Sequence, residues 1–124
     1  IRTSSEEDLG ESKIGIGTKM AIPSARMDII ELYAILAKKS RGALILESSG
    51  YELSLVARGF LGGYIHPFAE PWDKAAGMLQ IEGAGGIATG WPSRDNLFEP
   101  GIIAAANKEI YSQLLDVVKE TGLI

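Results

Sequence analysis

From Lys13 onward, short apolar runs alternate with segments whose apolar residues recur every three or four positions, and this alternation constrains the fold more than any other feature. Ile14 and Ile16, with Thr18 and Met20, form a period-two run. Ala43-Leu44-Ile45-Leu46 reads as a buried strand, and further strands are predicted near 63–66, 87–89 and 102–106. Successive strand residues point to opposite sides, whereas a recurrence of three to four marks one face of a helix. Strands alternating with helices predict an α/β fold: a layered, mixed, mostly parallel sheet of about five strands flanked by helices. The chain divides into an acidic tail or loop over residues 1–12 and a single α/β domain over 13–124. Glu6, Glu7, Asp8 and Glu11 stand among Ser and Gly, so the first segment is expected to be solvated.

The helices carry their own boundaries. Pro23-Ser24 open one predicted over 25–39, in which Ile29, Ile30, Tyr33, Leu36 and Ala37 are expected to share a buried face. Asp28 and Glu31 lie early and Lys38 and Lys39 late, which complements the helix dipole. Ser49-Gly50-Tyr51-Glu52 has the pattern of a capping box opening a second helix, with Leu53, Val56 and Ala57 as its buried stripe and Gly59 just past its end. The last helix is predicted to start at Asn107, bury Ile110, Leu114, Val117 and Val118, and end near Gly122.

A chain of 124 residues that is 46% hydrophobic can bury a core without staples. It contains no cysteine, which excludes disulfides and thiolate metal sites and fits a cytoplasmic location. A net charge of −4 with scattered Lys and Arg argues against nucleic acid or an anionic membrane as partner. No apolar run approaches the ~20 residues of a spanning helix. The chain begins at Ile1 and not at Met, an expectation of a preceding segment.

Residues 71–86 concentrate the chemistry. Pro71-Trp72-Asp73 is a helix start, Ala75-Ala76-Gly77 lets a neighbouring backbone approach closely, and Gly85-Gly86 is a stop. Asp73 falls at the N-cap or in the first turn of a helix running to about Glu82, where its carboxylate either caps backbone N–H groups or faces outward to a cation. At the predicted start of the second helix, N–H groups around Ser48, Ser49 and Gly50 either receive an anion such as a phosphate or serve the capping box alone. Neither serine has a His partner at a recognisable spacing, so neither is a nucleophile. Gly15-Ile16-Gly17-Thr18-Lys19 places its Lys after the Thr and lacks the leading spacing of a nucleotide phosphate loop, and Gly83 and Gly85 end a helix where a dinucleotide fingerprint would start one.

Trp72-Asp73-Lys74-Ala75-Ala76-Gly77, followed by Glu82-Gly83-Ala84-Gly85-Gly86, resembles the C-terminal signature of the inositol monophosphatase family, the Mg²⁺-dependent sugar and inositol phosphatases. The commonest form of that signature, Trp-Asp-x-Ala-Ala-Gly, an apolar stretch and Glu-Ala-Gly-Gly, lacks the extra Gly83. Ser48-Ser49-Gly50-Tyr51-Glu52-Leu53 with Val56-Ala57-Arg58-Gly59 is similar to the family's Gly-Ser-Ala-Ala-Leu-Asp-Leu-like helix start and its Val-Ala-x-Gly. The strand ending in Ala106-Asn107 is similar to the family's strand before its final helix. The likeness spans residues 41–120 and corresponds to a C-terminal domain.

The resemblance implies part of a Mg²⁺-dependent phosphomonoesterase that hydrolyses small sugar, polyol or inositol phosphates. It makes Asp73 the catalytic metal ligand and puts Ser48, Ser49, Gly50 and His66 on the substrate side. The family's upstream Glu and its Asp-Pro-x-Asp-Gly-Thr do not occur in this chain, so the implied partner is the missing N-terminal half and the isolated chain is expected to be inactive. Family members are often dimers, which adds a homodimer to the implied partners. Glu47 stands where the family usually has Gly, Leu44 where an Arg often stands, and His66 where inositol-specific members often carry Glu. These departures support a competing expectation, a non-catalytic binding or assembly domain that keeps the fold.

Overall fold

Ile14 and Ile16 are fully buried on one side of their strand, while Gly15 leaves room for Tyr64 and Leu61 on the other. The strand they form is therefore covered on both sides and sits inside a sheet. The computed structural model describes residues 1–19, 22–94 and 98–123. Along these the elements are β1 (Lys13–Ile16), α1 (Pro23–Lys39), β2 (Gly42–Leu44), α2 (Ser49–Ala57), β3 (Gly63–His66), α3 (Pro71–Gly83), β4 (Ile87–Thr89), β5 (Ile102–Ala105) and α4 (Lys108–Thr121). The strands lie in the order β2-β1-β3-β5-β4. β1 runs parallel to both β2 and β3, whereas β5 is antiparallel to both β3 and β4.

Helices cover both faces, as a sheet with parallel strands requires. α1 packs on α4 over one face, with Ile14, Ile16, Ile65, Ile103 and Ala105 beneath them. α2 packs on α3 over the other, with Tyr64, Ile102 and Ala104 beneath them. Adjacent strand residues thus enter different cores. The α2–α3 contact is close because Gly77 has no side chain: an added Cβ would lie 2.5 Å from Leu53 Cδ1 and 2.7 Å from its Cβ.

Three expectations change in three dimensions. In α1, Ile29, Leu32 and Leu36 are buried with Ala25, but Ile30, Tyr33 and Ala37 are exposed, because only one side of the helix meets the sheet and α4. The 43–46 run is not a buried strand. It contributes Gly42–Leu44 to the sheet's edge, where one ladder partner is lacking, and Ile45 and Leu46 are exposed beyond it. Residues 1–12 keep Glu6, Glu7, Asp8 and Glu11 exposed but are also anchored to the domain: Thr3 Oγ1 donates to Ala106 O at 2.8 Å, Gln113 Nε2 donates to Glu7 O at 2.7 Å, and Leu9 is buried. Met20 of the first predicted strand lies outside the described residues.

The α4 reading holds throughout. Asn107 Oδ1 accepts from Ile110 N at 2.9 Å, the four predicted residues are the buried ones, and Gly122 adopts φ 75°. At Gly77, helix propensity favours Ala by ~1 kcal/mol, but overpacking against Leu53 costs ~1–3 kcal/mol. Gly77→Ala is therefore expected to lower the denaturant midpoint, and a raised midpoint would show that α2 and α3 are not in tight contact.

Candidate functional site

β1 and β3 are parallel neighbours whose chains leave the sheet in opposite directions, β1 to α1 on one face and β3 to α3 on the other. Such a divergence opens a crevice beyond the carboxyl ends of the strands, the place where open α/β sheets bind ligands. A cleft of about 710 Å³ lies there, lined by Gly17, Thr18, Lys19 and Ile22 after β1, Glu47 to Gly50 at the start of α2, Tyr64 and His66 of β3, and Asp73. All five sequence-predicted site residues, Asp73, Ser48, Ser49, Gly50 and His66, line this one cleft.

Asp73 is exposed in the first turn of α3. It does not cap the helix, since Glu70 is the N-cap residue and supplies no side-chain hydrogen bond. Its carboxylate is a hard oxygen donor, the kind of ligand Mg²⁺ takes. Among the described residues no three His, Cys, Asp or Glu side chains converge, so Asp73 fits as one member of a ligand set and not as a complete site.

The capping box at α2 does not form. Ser48 is the N-cap residue without a side-chain hydrogen bond, and the Ser49 hydroxyl lies 2.8 Å from the Tyr64 hydroxyl. Glu52 turns inward and is fully buried, with Leu46 N at 3.4 Å from Oε1 and no partner for Oε2. Burial pushes its carboxyl up from 4.5 to about 7, against the opposing backbone N–H groups of Leu46 and Ser48. Burial likewise holds the Tyr64 phenol well above its ordinary range, so the Ser49–Tyr64 contact joins two neutral hydroxyls.

His66 is buried edge-on against Tyr64, with ring centroids 6.3 Å apart. Its Nδ1 accepts from Phe68 N at 3.2 Å, which leaves Nε2 to carry the proton of a neutral ring. Burial, then the positive charge of Lys19, lower its pKa from 6.5 to about 4, opposed by Glu70. Lys19 forms an ion pair with Glu70, joining the β1–α1 loop to the start of α3. Glu47 has φ 56°, a left-handed conformation that ordinary side chains rarely adopt. Gly17 packs so closely that an added Cβ would lie 2.3 Å from the His66 ring and from the Tyr64 hydroxyl.

Gly17, Thr18, Lys19, Ile22 and Tyr64 also line the cleft, although no motif marks them for it. Gly15-Ile16-Gly17-Thr18-Lys19 lacks nucleotide-loop spacing, and its relevance is topological. It is the end of the strand beside the divergence.

The sequence model of the inositol monophosphatase family matches residues 1–123, beyond the 41–120 of the recognisable motifs. The chain belongs to the inositol monophosphatase family. Among family relatives, it is 31% identical over 122 residues to the putative Nus factor SuhB of Neisseria meningitidis, covering 95% of this chain and 45% of that protein. It is 30% identical over 93 residues to inositol-1-monophosphatase ImpA of Mycolicibacterium smegmatis, covering 75% and 34%. The solved structure of extragenic suppressor protein suhB from Bartonella henselae superposes with a TM-score of 0.84 at 28% identity, covering 96% of this chain and 45% of that one. The family member described here thus spans about half the length of the relatives it matches.

Two of the buried titratable groups, Glu52 and His66, give the domain an unusual pH response. Between pH 4.5 and 7 the unfolded chain has lost the Glu52 proton and the folded chain keeps it, so stability falls as pH rises. Between pH 4 and 6.5 the unfolded chain holds the His66 proton and the folded chain does not, so stability rises with pH. Each contribution is ~3 kcal/mol over its window, and the two cancel where the windows overlap, from 4.5 to 6.5. Thermal melts are expected to show Glu52→Gln becoming steadily more stable as pH rises to 6.5, and His66→Asn becoming steadily less stable from 4.5 upward. Parallel pH profiles for wild type and both variants would refute the assignment.

Proposed function

We propose that this chain is the C-terminal part of a Mg²⁺-dependent phosphatase acting on small phosphorylated sugars, polyols or inositols. Asp73 contributes one metal ligand to its active site. The supporting observation is the exposed Asp73 carboxylate in the first turn of α3, on the same cleft as the α2 start and His66. Magnesium, when bound, supplies charge neutralisation at the phosphoryl oxygens and activation of the attacking water. The start of α2 offers N–H groups to an anionic ester, the Ser48 and Ser49 hydroxyls offer hydrogen bonds to substrate hydroxyls, and neutral His66 forms a polar wall without added charge.

The remaining metal ligands belong to an N-terminal half of the kind the longer relatives possess. That half would also cover the exposed stripe of Trp72, Ala75 and Leu79, which recurs at helical spacing on α3. The same stripe supports a second reading, a non-catalytic binding domain, and two measurements separate them. In the native gene product, Asp73→Asn is expected to lower Mg²⁺-dependent phosphate release from a polyol monophosphate by about 100-fold, the loss of about 2.7 kcal/mol of transition-state stabilisation. Unchanged release or unchanged metal dependence would remove Asp73 from the mechanism, and a native product of this size without phosphatase activity would favour the binding domain. Calorimetry on residues 1–124 alone is expected to give a Mg²⁺ dissociation constant on the order of 1 mM or weaker, because one carboxylate leaves most of the coordination shell to water.

A further inference from the structure

Lys74 occupies a position that opposes its charge twice. It lies in the first turn of α3, where the helix dipole disfavours a cation, and it is 1% exposed, where desolvation disfavours any charge. It is held there by two backbone carbonyls: Nζ donates to Glu99 O at 2.9 Å and to Gly101 O at 2.7 Å. That receiving segment is itself anchored. Gly101 N donates to Ala69 O at 2.8 Å, and Arg94 Nη1 donates to Pro67 O and Pro100 O. The anchors enclose residues 66–70, the connection that delivers α3 to the cleft.

The turn so anchored has no side-chain cap of its own, since Glu70 makes no capping hydrogen bond and Pro71 lacks an N–H. Uncapped first turns fray. Asp73 and Lys74 are adjacent, about 100° apart around the helix axis, one exposed on the cleft and the other pointing into the domain. Rotation or fraying of this turn moves both together. We propose that Lys74 is a positioning residue for Asp73, fixing the direction of its carboxylate by tying the first turn of α3 to the carbonyls of Glu99 and Gly101. The inference rests on the reading of Asp73 as a metal ligand.

Its test is direct Mn²⁺ binding to the native gene product, followed by electron paramagnetic resonance of the free ion alongside thermal melts. Wild type, Asp73→Asn, Lys74→Met and the double variant are compared. Residues that orient a metal ligand are worth ~10–100-fold in metal affinity, so Lys74→Met is expected to weaken Mn²⁺ binding by about 10-fold. The double variant should bind no more weakly than Asp73→Asn alone, because Lys74 acts through Asp73. If Lys74→Met fails to fold, Lys74→Gln, which keeps N–H donors without the buried charge, carries the same comparison with the same expected direction. Wild-type Mn²⁺ affinity in a folded Lys74 variant, even with a shifted melt, would mark Lys74 as a structural anchor only and overturn the proposal. Losses that multiply in the double variant would overturn it too. Should Asp73→Asn itself leave Mn²⁺ binding unchanged, the metal-ligand reading falls and this inference with it.

Discussion

The pairing of β1 with β3 is the interaction on which the rest of the structure depends. The two strands are parallel, with Ile14 opposite Gly63 and Ile16 opposite Ile65, and the chain beyond each leaves for a different face. Because the two connections diverge, a crevice opens where the strands end. The glycines of β1 contribute to its depth. Gly15 and Gly17 lie beside Tyr64 and His66 without side chains of their own, and those rings occupy the space that a Cβ would fill.

Beneath the cleft, the polar groups are arranged by burial more than by pairing. Glu52, His66 and Lys74 are all nearly inaccessible, and the described hydrogen bonds they make go to backbone groups. Burial shifts both Glu52 and His66 toward their neutral forms, His66 being neutral near neutral pH and Glu52 below it. Asp73 is the contrast, since its carboxylate remains exposed on the cleft. The cleft thus sets the exposed Asp73 carboxylate beside the hydroxyls of Ser48, Ser49 and Tyr64 and the neutral ring of His66, with Lys19 and Glu47 also on its wall.

What could be read from the residues depended on the range of the forces involved. α4 was legible in full because its cap, its apolar stripe and its left-handed glycine act within one or two turns. α1 was legible in extent but not in orientation: Ile30 and Tyr33 are as apolar as Ile29 and Leu36, and only the position of the sheet and α4 decides which are covered. The edge location of β2 likewise depends on a strand order that no local pattern encodes. Among the residues lining the cleft, Asp73, Ser48, Ser49 and Gly50 were legible through motifs and His66 through a departure from the family pattern. Lys19 and Tyr64 carried no signal, because they reach the cleft by strand adjacency.

By itself the sequence determined the alternation of strands and helices, the family, the helix ends, and the presence of an acid at the start of α3. Those properties follow from local sterics, hydrophobic periodicity and motif spacing. Only the tertiary structure decided that Glu52 turns inward instead of capping α2, that residues 1–12 dock against the domain, and that Lys74 is buried on two carbonyls. Each outcome is a competition between solvation and a partner distant in sequence, with Leu46 a nearer exception, and it is settled only when folding brings that partner within hydrogen-bond reach.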